Sequence, residues 1–128
     1  VFVRQYRHGV GKVLLELPAG YFNPQVEFPE VAAMRELREE TGYVAEKLIK
    51  LKTLYDNPGK DTNSIHFFAA KNVIKSQKQE LDITEEIEVV LIPVSEVFQR
   101  VLTTDINVCG TIAAIFLGLE YLHNNKLG

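Results

Sequence analysis

The sequence predicts an α+β fold in which helices pack on a mixed β-sheet. Segments with strand composition alternate irregularly with helical patterns and lack a regular strand–helix–strand rhythm. The chain has 128 residues, enough to bury a core in one domain but too few for two ordinary domains. We therefore expect a single domain over residues 1–128.

The first quarter of the chain predicts two strands and a long loop. Residues 1–7 and 13–17 are rich in strand-forming side chains, and the glycines at 9 and 11 predict a turn between them. Pro18 ends the second strand. Residues 19–28 contain Gly20, Asn23 and Pro24, which favour an irregular loop.

A helix of about twelve residues follows this loop. Pro29 suits the first helical position, and Glu30 suits the positive end of the helix dipole. Gly42 suits the C-terminal cap because glycine adopts positive φ without steric cost. Phe28 would be the N-cap and has no side-chain acceptor, so this end of the helix lacks a capping hydrogen bond.

The remaining chain predicts three more strands and two more helices. Strands are expected at residues 47–55, 65–70 and 87–94, with a turn at 57–59 and a polar, mobile loop at 76–86. Ser95 is expected to cap a short helix ending at Leu102. Residues 108–124 predict an apolar helix whose core positions are Ile112, Ile115, Phe116, Leu119 and Leu122.

Composition restricts the partners and the compartment. A net charge of −3 and a pI of about 5.6 provide no cationic surface for a nucleic-acid backbone. Cys109 is the single cysteine, so we expect no intramolecular disulfide and interpret it as a small buried side chain. No signal peptide or membrane-spanning run is visible, which favours a cytoplasmic protein. Val1 already lies in a predicted strand, so we expect a further segment upstream.

The predicted helix that begins at Pro29 carries an acidic face. At 100° per residue, Glu36, Glu39 and Glu40 fall within one narrow arc. The adjacent arc is apolar or small and suits a core contact; it comprises Ala33, Met34, Leu37 and Thr41.

Two interpretations of this acidic face remain open. It can be a solvated surface neutralised by Arg35 and Arg38, since like charges three or four residues apart cost about 0.2–0.5 kcal/mol per pair. It can instead be a metal site, because carboxylate oxygens at one point suit Mg²⁺ or Mn²⁺. A metal would also provide the positive charge that a small anionic substrate needs.

Residues 20–43 resemble the Nudix box, Gly-x5-Glu-x7-Arg-Glu-(apolar)-x-Glu-Glu-x-Gly-(apolar). The matching positions are Glu27, Arg35, Glu36, Leu37, Glu39, Glu40, Gly42 and Tyr43. The sequence departs from the pattern at one place, because six residues rather than five separate Gly20 from Glu27. The extra residue precedes the helix, so we expect the loop to absorb it while the helical carboxylates keep their register.

The resemblance implies a Nudix α/β/α sandwich and a magnesium-dependent pyrophosphohydrolase, with Mn²⁺ as the alternative cofactor. Glu36 and Glu40 would be the main metal ligands, joined by Glu39 and the carbonyl oxygen of Ala19. Arg35 would pair with Glu27 and Glu39 and hold their side chains in place.

The flanking residues resemble the subgroup of ADP-ribose and ADP-sugar pyrophosphatases. The resemblance rests on residues 4–7 and 16–20, on Pro58 sixteen residues after Gly42, and on the acidic stretch 81–89. It implies that Arg7, Glu16 and Gly20 contact the substrate. Glu85 would orient or deprotonate the attacking water, with Glu86 and Glu39 as competing assignments.

Two matters stay open at this point. The box is shared by enzymes that act on nucleoside triphosphates, dinucleotides or other nucleotide sugars, so it does not choose the substrate. A Nudix-fold module that binds a metabolite without hydrolysis is the rival from another functional class. The resemblance further implies a homodimer acting on a small nucleotide, while the net charge and the lack of a membrane-spanning run lead us to expect no nucleic-acid or membrane partner.

Overall fold

The computed structural model describes residues 1–103 and 106–125, where seven strands and three helices form. The strands are β1 (Phe2–Arg7), β2 (Lys12–Glu16), β3 (Tyr43–Val44), β4 (Leu48–Tyr55), β5 (Ser64–Ala70), β6 (Ile74–Lys75) and β7 (Ile87–Val90). The helices are α1 (Pro29–Thr41), α2 (Val94–Leu102) and α3 (Cys109–Asn124). The α+β class predicted from the sequence is confirmed.

The strands of the described residues pair antiparallel, in three groups. The first is a three-stranded sheet in the order β2-β1-β7, and the others are the pairs β3–β6 and β4–β5. These antiparallel pairings and the three helices agree with the α+β sandwich that the sequence predicted. A turn at residues 8–11 joins β1 to β2, and a longer loop at residues 56–63 joins β4 to β5. Antiparallel neighbours can be joined by such direct connections without a crossover element.

The core lies where the three-stranded sheet meets α2 and α3. Its buried members are Phe2, Leu15, Val97, Ile106 and Ile115. Helix α1 packs against β7 and the β4–β5 pair, while α3 contacts β4 and β5. The β4–β5 pair thus contacts both long helices. In the described part of the chain no helix is long and apolar enough to span a membrane.

Helix α1 begins and ends as its sequence predicts. Pro29 occupies the first helical position, and Phe28 provides no side-chain cap. Gly42 ends the helix with φ of 74°, a conformation that favours glycine, and its N–H donates to the carbonyl of Arg38 at 2.7 Å. These two ends determine where the helix begins and ends, and hence the direction in which each of its carboxylates projects.

Several predictions for the second half of the chain were wrong. Strand β7 ends at Val90, and Val94 already belongs to α2. Ser95 is not the cap of that helix, since the N-cap residue is Pro93 without a side-chain hydrogen bond. A proline has no N–H for a strand ladder and its fixed φ suits a helix start, which explains both differences.

Helix α3 also buries fewer side chains than its apolar composition predicts. Ile115 is buried, but Ile112 and Phe116 are exposed. Cys109, expected to be buried, is exposed at the first position of the helix. The short strands β3 and β6 were not predicted, because two-residue strands leave no periodic pattern.

Candidate active site

The backbone of the loop after β2 lies against two carboxyl groups of α1. The Ala19 N–H donates to Oε2 of Glu40 at 3.1 Å. Gly20 passes so close to the Glu36 carboxyl group that a Cβ at this position would overlap it. Glu36 and Glu40 are four residues apart and so share one helix face. The helix and the loop therefore bring the carboxyl groups of Glu36 and Glu40 next to the backbone of Ala19 and Gly20.

Burial changes the acidity of both carboxyl groups. Glu40 is only 4% exposed, and this burial raises its pKa to about 8. The Ala19 N–H opposes the rise, whereas the charges of Glu36 and Glu85 add to it. Burial likewise raises the pKa of Glu36, with Arg35 acting against it. A solvated acidic face therefore does not describe Glu40.

Arg35 joins three acidic residues. Its guanidinium group contacts Glu27 at 2.7 Å, Glu36 at 3.0 Å and Glu39 at 3.2 Å. The sequence predicted the contacts with Glu27 and Glu39, and the structure adds Glu36. Hydrogen bonding to Glu27 is the main cause that raises the pKa of Arg35. Arg35 thus holds the side chains around Glu40 in fixed positions.

The extra residue between Gly20 and Glu27 is taken up by a local turn. The side chain of Asn23 accepts from the Gln25 N–H at 2.9 Å, and its carbonyl accepts from the N–H groups of Val26 and Glu27. Such side-chain-to-backbone bonds are typical of asparagine in turns. Glu27 still reaches Arg35, so the register of the box is kept despite the insertion.

Arg7 and Glu16 form a bidentate ion pair beside this loop. Arg7 Nε and Nη2 lie 2.7 Å and 3.0 Å from the two oxygens of Glu16. Glu16 pairs with Val3 across the hairpin, and Arg7 lies four residues after Val3, so both side chains project from the same face. The hydrogen bond to Glu16 is the main cause that raises the pKa of Arg7. The structure thus places two of the three predicted substrate contacts, Arg7 and Glu16, against each other.

The loop before β7 brings Glu85 close enough to influence the glutamates of α1. Its charge contributes to the raised pKa of both Glu36 and Glu40. Its carboxyl oxygen accepts from the Asp82 N–H at 2.9 Å, and its own N–H donates to the Asp82 carbonyl at 2.9 Å. Glu86 is also exposed on this loop.

The carbonyl groups that end α1 are bound by residues 75–80, which sequence reasoning missed. Backbone N–H groups of Ser76 and Glu80 donate to Gly42 and Glu39, at 2.9 Å and 2.7 Å. The side chains of Lys75 and Gln79 donate to Thr41 and Glu40, both at 2.6 Å. Helix ends leave such carbonyls without partners. Nothing in a polar loop sequence indicates which distant carbonyls it satisfies.

The donor groups of this site fit a hard divalent cation. Among residues 1–103 and 106–125 no three His, Cys, Asp or Glu side chains form a preassembled metal-holding group. Magnesium is commonly held by one or two carboxylates, with waters and substrate phosphates completing its shell. Glu36, Glu40 and the adjoining loop backbone provide that kind of partial shell.

The family model of the NUDIX domain matches residues 1–107. The chain belongs to the Nudix family. ADP-ribose pyrophosphatase of Bacillus subtilis (strain 168) is 34% identical over 116 residues, which make up 90% of this chain and 62% of that protein. GDP-mannose pyrophosphatase of Citrobacter koseri is 32% identical over 138 residues, covering 99% of this chain and 68% of that protein. The Nudix chain thus spans less than two thirds of the Bacillus relative.

A solved structure supports the Nudix fold. The crystal structure of an ADP compounds hydrolase matches this chain with a TM-score of 0.85 and 27% sequence identity. The match covers 96% of the Nudix chain and 65% of the solved chain. The sandwich fold that the sequence resemblance implied is therefore confirmed.

Proposed function

We propose that this chain carries the active site of a metal-dependent hydrolase that splits the pyrophosphate bond of ADP-ribose or an ADP-sugar, giving AMP and a sugar phosphate. The observation that carries the proposal is the buried carboxyl of Glu40 beside Glu36, against the Ala19–Gly20 backbone. Two carboxylates withdrawn from water are costly unless a cation offsets their charge. The names of the Bacillus relative and the solved structure support the substrate class.

The residues of α1 would hold the cation. Glu36 and Glu40 are the proposed main ligands, with Glu39 and the Ala19 carbonyl as further oxygen donors. When bound, Mg²⁺ or Mn²⁺ would neutralise phosphate charge and lower the pKa of a water molecule. Arg35 keeps the carboxyl groups oriented through its contacts with Glu27, Glu36 and Glu39.

Glu85 is the proposed residue that orients or deprotonates the attacking water. Its influence on Glu36 and Glu40 favours it over Glu86, whose charge is not among the causes of either pKa shift.

Glu85→Gln should lower kcat by about 10²–10³-fold with little change in KM. Glu86→Gln serves as the matched control, with an expected change in kcat below about threefold. Equal, small effects of both substitutions would leave water activation to Glu39 or to the metal.

Arg7, Glu16 and Gly20 are the proposed substrate contacts. Arg7 would neutralise a phosphate and Glu16 would accept from ribose hydroxyl groups, since carboxylate oxygens that bind Arg7 retain further acceptor capacity. A triphosphate would bring a terminal phosphate towards Glu16, and the like charges would weaken binding. We therefore expect diphosphate derivatives to be preferred to triphosphates.

The test is a substrate panel with product identification, run with Mg²⁺, with Mn²⁺ and with EDTA. ADP-ribose or an ADP-sugar should exceed ATP, GTP and 8-oxo-dGTP in kcat/KM, and EDTA should abolish turnover. A preference for GDP-mannose or for a triphosphate would overturn the substrate assignment and leave the hydrolase. Binding of ADP-ribose in calorimetry without hydrolysis would instead indicate a metabolite-binding module. Sedimentation and cell fractionation would test the proposed homodimer and cytoplasmic location.

A further inference from the structure

Gln79 joins three parts of the site through one side chain. Its amide nitrogen lies 2.6 Å from the Glu40 carbonyl oxygen and 2.8 Å from the Ile87 carbonyl oxygen. An amide NH₂ group has two hydrogens, so these two bonds use its full donor capacity. The side chain is partly buried, where an unpaired carbonyl is costly. Gln79 therefore ties the last turn of α1 to the first residue of β7.

These two bonds close the loop that carries Glu85. Residues 80–86 lie between Gln79 and Ile87, so both ends of this loop are attached to a single amide group. The Glu80 N–H reinforces the attachment by donating to the Glu39 carbonyl at 2.7 Å. Within the loop, Glu85 and Asp82 bind each other through two hydrogen bonds. The loop is thus attached at both ends through Gln79 and carries internal hydrogen bonds between Glu85 and Asp82.

The anchor is attached to the backbone of Glu40, one of the proposed metal ligands. Gln79 binds the backbone of Glu40, and the charge of Glu85 reaches the side chains of Glu40 and Glu36. A shift of the loop relative to α1 would therefore change the separation between Glu85 and these two glutamates. Displacements of about 1 Å at an active site can lower a rate by about 10²-fold.

We propose that Gln79 is a positioning residue, which fixes Glu85 relative to Glu36 and Glu40 by bridging the carbonyl groups of Glu40 and Ile87. The inference rests on the proposed function, because it assigns Gln79 to the water-activating part of that site. Gln79 itself touches neither metal nor substrate in this arrangement. Its effect on the reaction passes through Glu85.

The experiment uses Gln79→Met, which keeps the length of the side chain and removes its N–H donors. Gln77→Met is the matched control, since the Gln77 side chain contacts Glu80 on the surface and not the α1 carbonyls. We expect Gln79→Met to lower kcat about 10–100-fold with KM changed less than about threefold, and Gln77→Met to leave both near native values. Gln79→Asn retains the amide on a shorter side chain, so we expect its kcat to lie between that of Gln79→Met and that of the native protein. This second variant keeps the proposal testable if Gln79→Met does not fold.

A double substitution separates positioning from a merely structural role. If Gln79 acts through Glu85, then adding Gln79→Met to Glu85→Gln should lower kcat by less than about threefold further. Equal losses in both backgrounds, or a native kcat in Gln79→Met, would overturn the proposal. If the native protein hydrolyses nothing in the panel, the proposed function fails, and the positioning role fails with it.

Hydrogen exchange provides a readout that is independent of turnover. In the metal-free protein, Gln79→Met should speed exchange of the Glu80 and Glu85 amides, which donate to Glu39 and Asp82. Amides in the middle of α1 and in β1 should keep their native rates. Unchanged protection at Glu80 and Glu85 would show that Gln79 does not hold the loop.

Discussion

At the scale of single residues, Glu40 carries the largest electrostatic cost in the site. Its carboxyl is nearly inaccessible to solvent and lies near the charges of Glu36 and Glu85. A backbone N–H from Ala19 offsets only part of this cost, because the pKa remains raised to about 8. A buried carboxyl with so raised a pKa is expected to bind a cation, and it is expected to destabilise the folded protein when no cation is bound.

Replacing Glu40 should separate activity from stability. Glu40→Gln keeps the size of the side chain and removes the charge that would bind Mg²⁺, so kcat should fall by at least about 10³-fold. Folding should be unimpaired because Gln, like the protonated carboxyl of Glu40, is neutral and places no charge at this buried position. Glu30→Gln, in the exposed first turn of the same helix, is the control and should retain native turnover. Near-native turnover of Glu40→Gln would refute the site assignment.

The raised pKa of Glu40 also predicts how stability depends on pH in the metal-free protein. The folded state holds this proton up to about pH 8, whereas the ordinary pKa of a glutamate carboxyl is 4.5. The associated stability is complete below about pH 4.5 and is lost as the pH rises through about 8. In EDTA, the free energy of unfolding of Glu40→Gln minus that of the native protein should therefore increase between pH 5 and pH 9, by at least about 1 kcal/mol. Urea titrations at several pH values measure this difference, and a constant difference would contradict the prediction.

At the scale of elements, α1 is defined by its two ends. Its start depends on Pro29, and its end depends on Gly42 and on the donors of residues 75–80. A Cβ on Gly42 would overlap the backbone carbonyl of Gln77 and lie 2.8 Å from Lys75 Nζ. The end of the helix and the segment that binds it are therefore packed as one unit.

Gly42→Ala should consequently destabilise the protein strongly. Positive φ at a non-glycine residue costs about 1–2 kcal/mol, and the contact with Gln77 adds to that cost. We expect the free energy of unfolding to fall by at least about 2 kcal/mol in urea titrations. Gly59→Ala is the control, because a Cβ there meets no atom within 4 Å and Gly59 is not among the positive-φ glycines. Similar losses for both variants would mean that the fit around Gly42 is not what stabilises this end.

An element can be predicted from the sequence when the signals that define it lie close together in the chain. Helix α1 follows from local signals, since Pro29, Gly42 and the spacing of its side chains all lie within the helix or next to it. The pairing of β3 with β6 places Tyr43 opposite Lys75, which lies 32 positions further along the chain. A strand of two residues carries no signal that indicates so distant a partner. The contacts of Arg35 with Glu27 and Glu39 were predictable because all three positions belong to the spacing of the Nudix box, whereas the contact with Glu36 was not predicted. The role of Gln79 was not, because it depends on how a distant loop meets that helix.

At the scale of the whole molecule, one small core connects the sheet to α2 and α3. Ile106 is among its most deeply buried members, at 1% exposed, and lies between the two helices in sequence. The carboxylate site draws on α1 and two loops instead. Stability and catalysis should therefore respond to different substitutions.

Ile106→Ala tests this division. Truncating a buried isoleucine typically costs about 2–5 kcal/mol, so the urea midpoint should fall well below that of the native protein. Below the unfolding transition, kcat per folded molecule should stay within about twofold of native. Ile112→Ala, at a position 38% exposed on α3, should cost less than about 1 kcal/mol. A large loss of kcat in folded Ile106→Ala would show that the core and the site are coupled.

The turn at Asn23 bears on how Nudix chains can differ in the length of this loop. It accommodates an added residue through hydrogen bonds within residues 23–27, and the contact between Arg35 and Glu27 then resumes the common register. Loop length and catalytic geometry are thereby uncoupled at this point of the chain. Insertions or grafted segments at residues 23–26 should therefore leave the carboxylates of α1 in place.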